Sequence, residues 1–364
     1  MSRRVIVKVL FMFYVPSGGI DTLNRQRSVA LKERGIQAEF LYYTNKRHYL
    51  NDHGAPVYIT DDNNEIKKIL DNGNYDAAVI VSDFTALQRL DSLGFKGKKI
   101  IEIQGYGPKT RAREFFLRYQ DDVRQYCDAL LNPKTPHIVD LMNEIFPEIP
   151  QFSFNNCFDT EHFSYVPGQV STGPIIAWIG RIEDNKNWRE FLLIASQLHR
   201  LIGNSLQVNM YEDPSLSTPD ERRAFEKMVK RLHLEEVLHI YENVPNQEMK
   251  EHFSRIGDSG GFYCMTSKVE GAPFSPLEAL SCCCPVLTTD SDGVRTSIFH
   301  NVTGKYYTIG NIAEAVREAK DLMSNTVLRD SIRMNGFEFV KENFNRKIYA
   351  ENFCQMLSSL GLKV

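Results

Sequence analysis

The chain has 364 residues, 42% of them apolar and 24% charged, with 43 Lys and Arg against 46 Asp and Glu for a formal net charge of −3. That length suits two domains of roughly 150 residues each, and the composition excludes wholesale disorder, collagen-like repeats and coiled-coil rods. With no global basic field, nucleic acid is not an expected partner.

The first segment, RRVIVKVLFMFYVP, has a charged start and an apolar stretch. Lys8 interrupts it, no small-residue cleavage site follows, and it is too short to span a bilayer, so it is expected to be a buried first strand over 5–14. Further strands are predicted at 38–43, 76–82, 99–103 and 128–132, with helical patterns at 21–34, 63–72, 84–92 and 109–126 between them. A Pro-, Gly-, Ser- and Thr-rich break at 164–174, SYVPGQVSTGP, is the predicted linker. The alternation then restarts with strands at 175–180, 205–211, 236–241, 260–265 and 285–289. Helices are predicted at 186–202, 219–233, 246–255 and 275–283, and three more close the chain at 311–324, 327–343 and 345–360. Continuous apolar strands separated by helices imply parallel sheets covered on both faces, here two doubly wound Rossmann-like α/β domains with ligands at the carboxyl ends of the strands, in a cleft between them. The expected division is 1–163, with 345–364 packing back on it, and 174–343.

The seven cysteines are odd in number, and Cys282, Cys283 and Cys284 are consecutive. Buried reduced thiols and a cytoplasmic location fit this better than a disulfide framework or a metal site.

Three loops could carry chemistry. Residues 267–290 read SKVEGAPFSPLEALSCCCPVLTTD after an apolar strand. Ser275, Pro276 and Glu278 suit N-cap, N1 and N3 of a helix, a capping box in which Glu278 caps its own helix. Equally, the free amides and positive dipole end of such a helix suit a diphosphate, with Glu270 and Glu278 flanking the ligand. Residues 179–187, IGRIEDNKN, place Arg181 and Lys186 in a strand-to-helix loop where two cations could neutralise a diphosphate or simply sit in solvent. Residues 16–21, PSGGID, offer Gly18 and Gly19 for close backbone approach, without the third glycine of a dinucleotide fingerprint. Asp290–Ser291–Asp292 reads as a turn rather than a metal pair. The stretch 111–124, RAREFFLRYQDDVR, reads as an ordinary amphipathic helix, with a weak peripheral membrane or acceptor contact as its alternative.

Taken together, these loops resemble the retaining GT-B glycosyltransferases of family 4, the glycosyl transferases group 1. The family's E-x7-E element is similar to Glu270 through Glu278, and its GR…KN element to Gly180, Arg181, Lys186 and Asn187. Its glycine pair corresponds to Gly18 and Gly19, and its interdomain N-G-x-D-x-x-x-F to Asn156, Asp159 and Phe163. The resemblance spans essentially the whole chain and is strongest from about 175 to 305. It implies a GT-B fold and hexosyl transfer from a nucleotide sugar, a UDP-sugar by expectation, to an unknown acceptor. Arg181 and Lys186 would bind the diphosphate with the backbone amide of Gly19 and the free amides of the turn formed by Phe274, Ser275, Pro276 and Leu277, in which Pro276 itself has no N–H to give. Glu278 would bind the ribose. Glu270 would act at the reacting sugar, so that its loss lowers turnover with little effect on UDP affinity. No cofactor or metal is expected, and donor binding is expected to close a hinge near 164–174 and 341–346. Two positions depart from the family. Gln104 and Tyr106, the candidate sugar or acceptor contacts here, stand where many relatives carry a sugar-contacting His, and Gly293–Val294–Arg295–Thr296 lacks the Glu of a G-x-x-E turn. A non-catalytic nucleotide-sugar binder and a UDP-sugar 2-epimerase of the same fold are the alternatives.

Overall fold

Short apolar runs, each followed by a helix, form parallel strands because a helical crossover is the usual way to return the chain to the same edge of a sheet covered on both faces. The computed structural model describes residues 6–45, 51–168 and 171–364. It divides into two units, Met1–Asp159 with Asn343–Val364, and Thr160–Glu342.

The first unit runs β1 (Val7–Phe13), α1 (Gly18–Glu33), β2 (Ile36–Tyr42), β3 (Val57–Ile59), α2 (Asn63–Gly73), β4 (Ala77–Val81) and α3 (Thr85–Ser92). It continues through β5 (Lys98–Glu102), α4 (Lys109–Arg118), α5 (Gln120–Tyr126), β6 (Ala129–Asn132), α6 (Pro136–Ile145) and β7 (Gln151–Ser153). All seven strands are parallel in the order β3-β2-β1-β4-β5-β6-β7. Phe11 of β1 lies in register with Phe40 of β2 and Val79 of β4, so the strand order reverses between β1 and β4. Every residue of β4, AAVIV, is buried, which is why its apolar run does not alternate.

The second unit runs β8 (Ile175–Ile179), α7 (Trp188–Ile202), β9 (Gln207–Glu212), α8 (Pro219–Arg231), β10 (Leu238–Glu242), α9 (Met249–Asp258) and β11 (Phe262–Met265). It ends with α10 (Phe274–Ser281), β12 (Val286–Thr289), β13 (Lys305–Tyr307), α11 (Ile312–Ser324) and α12 (Thr326–Asn343). Its six-stranded parallel sheet repeats the same winding, β10-β9-β8-β11-β12-β13, with Trp178 and Trp188 in the core between sheet and helices. Helix starts follow the capping rules: Thr218 accepts from the Glu221 amide with Pro219 at the first helical position, and Asn311 accepts from the Glu314 amide.

The last helix, α13 (Arg346–Ser359), belongs to the first unit and packs on α1. Phe353 lies 5.9 Å from Phe11 and Tyr349 5.6 Å from Phe154, ring centre to ring centre. In the same region Arg27 is fully buried, with Nη1 2.8 Å from Glu102 Oε2 and its guanidinium 4.5 Å from the Phe11 ring.

Several elements differ from the sequence reading. The single helix expected over 109–126 is two, broken at Tyr119, whose ring stacks on Phe84 and Phe115. The strand expected at 5–14 spans Val7–Phe13, and residue 5 lies outside the described residues. The chain passes between units at Asp159/Thr160, ahead of the expected linker. Within that linker, Tyr165 donates to Asp258 and the Val166 amide to Ser254, both at 2.9 Å, which ties this stretch to the second unit. Gln169 and Val170 lie outside the described residues. All seven cysteines are free, and burial pushes the Cys127 and Cys157 thiols up to about 12. Among the described residues no helix is long and apolar enough to cross a membrane.

Candidate functional site

In the second unit the strand order reverses between β8 and β11. The loops leaving those two strands therefore open side by side at the carboxyl edge of the sheet, the place where doubly wound sheets bind ligands. Here the loops are joined by hydrogen bonds. The Lys268 amide donates to the Asn185 carbonyl at 2.8 Å, and Asn185 Nδ2 donates to the Val269 carbonyl at 3.1 Å. Thr266, just past β11, donates its hydroxyl to the carbonyls of Lys186 and Asn187 and accepts from Trp178 Nε1 at 3.1 Å.

This stitching brings together two residues 84 positions apart. Lys186 Nζ lies 2.5 Å from Glu270 Oε1, with side chains 24% and 13% exposed. Gly180 makes room for the lysine, since a Cβ there would lie 3.3 Å from Lys186 Cγ and 3.0 Å from the Trp178 ring. Glu270 is held from its other side by the loop after β12. Its amide donates to the Ser291 carbonyl at 2.9 Å, and its carbonyl accepts from the Gly293 amide at 3.1 Å. Gly293 is required there, because an added Cβ would stand 2.0 Å from the Gly271 carbonyl oxygen and 2.7 Å from that of Glu270. Thr266 and Asn185 carry no motif, and Gly293 is only the glycine of the incomplete G-x-x-E turn; the fold reveals their part in placing Glu270.

Arg181 projects from the same loop, half exposed, and pairs with Glu183 at 2.8 Å. Helix α10 begins one residue before the sequence reading places its cap. Pro273 is the N-cap and offers no side-chain acceptor, which puts Ser275, Pro276 and Glu278 at the second, third and fifth helical positions. The expected capping box is therefore absent. Ser275 instead shares a hydrogen bond of 2.8 Å with the buried Tyr263 hydroxyl, whose pKa burial drives well up. Glu278 Oε1 accepts from Asn246 Nδ2 at 2.9 Å. Pro276 is tolerated because a first-turn amide has no carbonyl partner in its own helix. Phe274 and Leu277 share that turn.

Asp290 pairs with Arg295 at 2.5 Å, and Asp292 sits at φ +70°, consistent with a turn. Among the described residues no cluster of three or more His, Cys, Asp or Glu is placed to hold a metal ion.

The remaining predicted residues belong to the first unit. Gly18 opens α1 rather than a preceding loop, at φ +72° with open space where a Cβ would be, so the backbone conformation explains the glycine. Gly19 follows it within the helix. Gln104 donates to Glu102 and Asn156, both at 2.9 Å, and accepts from Asn156 at 2.8 Å. Tyr106 donates to the Ser82 carbonyl at 2.6 Å. The polar groups of Gln104 and Tyr106 are thus engaged within their own unit. Asp159 pairs with Arg346 of α13 at 3.3 Å.

A family model described as "Glycosyl transferases group 1" matches residues 159–339, the unit that carries the Lys186–Glu270 pair. The chain belongs to that family. The glycosyltransferase has the GT-B fold, as its structural neighbours show. Sucrose-phosphate synthase from Thermosynechococcus elongatus superimposes with a TM-score of 0.83 at 14% identity, covering 98% of this chain and 99% of that one. Anabaena HepE in complex with UDP and glucose gives 0.80 at 15% identity, covering 97% and 100%. In sequence, the glycosyltransferase is 24% identical over 231 residues to sucrose synthase 6 of Arabidopsis thaliana. That match takes in 59% of this chain and 24% of the relative's length.

Proposed function

We propose that this glycosyltransferase moves a hexose from a UDP-sugar to an acceptor with retention at the anomeric carbon. The observation that carries the reading is the meeting of Lys186 and Glu270 at the β8/β11 switch point, beside the N-terminus of α10. A cation, a carboxylate and a helix dipole converging on one edge suit a sugar diphosphate. Lys186 and Arg181 would take the diphosphate, Glu270 would contact the sugar and Glu278 the ribose. As the bond from the anomeric carbon to phosphate breaks, the acceptor oxygen bonds to the same face and its proton passes to a leaving phosphate oxygen. Protein cations would stabilise the departing charge, so no divalent ion is required. HepE is described with UDP and with UDP-glucose, which supports the donor class. Seven unpaired cysteines fit a reducing compartment such as the cytosol.

The test is a panel of UDP-, GDP- and ADP-sugars assayed for nucleotide release, with thermal shift as the binding control. UDP-sugars should raise the melting temperature and release UDP, and Glu270→Gln should sharply slow the release. Stabilisation by another nucleotide sugar alone would refute the donor assignment.

A further inference from the structure

A transferase needs an acceptor, and the first unit presents a surface whose chemistry names one. Tyr14 and Tyr43 directly follow β1 and β2, and Phe84 and Tyr106 lie in the loops that leave β4 and β5, at the carboxyl edge of the sheet. Tyr14 is 44% exposed and meets Tyr43 edge to face at 5.6 Å. Phe84 stacks on Tyr106 at 5.8 Å and on Tyr119 at 5.6 Å, and Phe115 stacks on Tyr106 at 5.1 Å and on Tyr119 at 6.3 Å. Helix α4 therefore lies against this aromatic ladder, whose rings cover one another's faces and whose Phe84 is buried.

The arginines of α4 and α5 divide into two sets. Arg113 is closed by a bidentate pair with Glu144, and Arg124 is paired with Glu148. Arg111 and Arg118 are exposed, and among the described residues neither has a carboxylate partner. Each guanidinium instead lies beside a ring of the ladder, Arg111 5.9 Å from Phe115 and Arg118 5.7 Å from Tyr119. Seven positions apart on a helical pattern, they fall on one face. Lys109 adds positive charge nearby, and Glu114 is the acidic residue of the same helix.

We propose that this surface recognises an acceptor saccharide bearing a carboxylate or phosphate, with Arg111 and Arg118 taking the acidic group and the exposed Tyr14 ring taking a sugar face. A planar guanidinium matches a carboxylate or phosphate with two parallel hydrogen bonds, and an aromatic ring offers its negative face to the C–H groups of a pyranose. An anionic lipid surface would present the same acidic groups. The surface disfavours it, because Ala112 and Phe116 are spent on the core and Leu117 is the one large aliphatic side chain that α4 exposes. A helix held in a membrane needs a broad apolar face.

The inference rests on the transferase reading and is tested separately from it. The full chain is applied to an array of oligosaccharides carrying uronic acid or phosphate beside their neutral counterparts, and in a second arm to phosphatidylglycerol vesicles. UDP affinity is measured on every variant. Acidic oligosaccharides should bind about tenfold better than neutral ones, the size expected for charge-assisted bonds. Arg111→Ala/Arg118→Ala should erase the preference, Arg113→Ala should keep it, and all should bind UDP as the parent does. Equal binding of acidic and neutral sugars, a preference that survives the double substitution, or arginine-dependent capture by vesicles without saccharide binding would each overturn the proposal. Loss of UDP binding by the parent chain would overturn the donor reading instead.

Discussion

The Lys186–Glu270 pair makes Glu270→Gln an informative substitution, because it should separate nucleotide affinity from turnover in opposite directions. The Lys186 ammonium is paired with Glu270 at 2.5 Å, so a diphosphate must compete with that carboxylate. The two side chains are 24% and 13% exposed, a partly buried pair, for which about 1 kcal/mol is a reasonable strength. Glutamine removes the competing charge and the repulsion that Glu270 exerts on phosphate, so UDP should bind about fivefold more tightly. Lys186→Ala should weaken UDP, and in the double variant Glu270→Gln should confer much less of its gain. Titration calorimetry on the four proteins yields this coupling directly, and the gain should shrink as ionic strength rises. Turnover by Glu270→Gln should fall sharply although the nucleotide binds better. Unchanged or weaker UDP affinity in Glu270→Gln would refute the competition and return Glu270 to a role uncoupled from the diphosphate.

Gly293→Ala should force the Gly271 and Glu270 backbones apart, destabilising the chain by about 2 kcal/mol, the usual cost of overpacking. Its kcat should fall at least about tenfold, and normal turnover by a folded variant would sink the claim that Gly293 places Glu270. Burial holds the His252 imidazole below its ordinary value, against the pull of Glu248 and Glu251. The unfolded chain therefore binds this proton more readily, and stability present above the unfolded value near 6.5 should be lost as pH falls below it. Urea midpoints at about pH 8 and about pH 5.5 should differ less in His252→Gln than in the parent, and an equal difference would count against the assignment. Activity should survive EDTA, and a loss restored by manganese would assign the Asp290–Asp292 turn a role denied it here.

Much of the fold is written locally. The apolar run at 76–82 and the patterns at 63–72 and 219–233 announce β4, α2 and α8 because each buries one continuous face or starts with its own cap. The three-residue strands β3, β7 and β13 pass unnoticed, since so short a segment shows no period. The α10 terminus misleads for a definite reason: Pro273 and Pro276 both suit a first turn, and the Ser275 hydroxyl that looks like a cap is drawn to Tyr263, a partner 12 positions away. Lys186 and Glu270 are each visible in motifs, but their pairing depends on the β8/β11 reversal and on Thr266, Asn185 and Gly293, of which only Gly293 stands out along the chain, and then for a different reason. The exchange of hydrogen bonds between Gln104 and Asn156, 52 positions apart, is likewise invisible along the chain.

Because the first unit is closed by α13, the order of synthesis sets an order of folding. Residues 160–342 contain every strand of their own sheet and can complete it while the ribosome is still at work. The first unit, although made earlier, lacks the helix that puts Phe353 against Phe11 and Tyr349 against Phe154 until residues 346–359 have been added. Through that interval α1 and β1 lack the apolar cover of α13, with the Arg27–Glu102 ion pair nearby. A nascent chain of this protein should therefore engage chaperones through its oldest segment rather than its newest, and a stop codon ahead of residue 346 should leave a sound second unit attached to an unfinished first one.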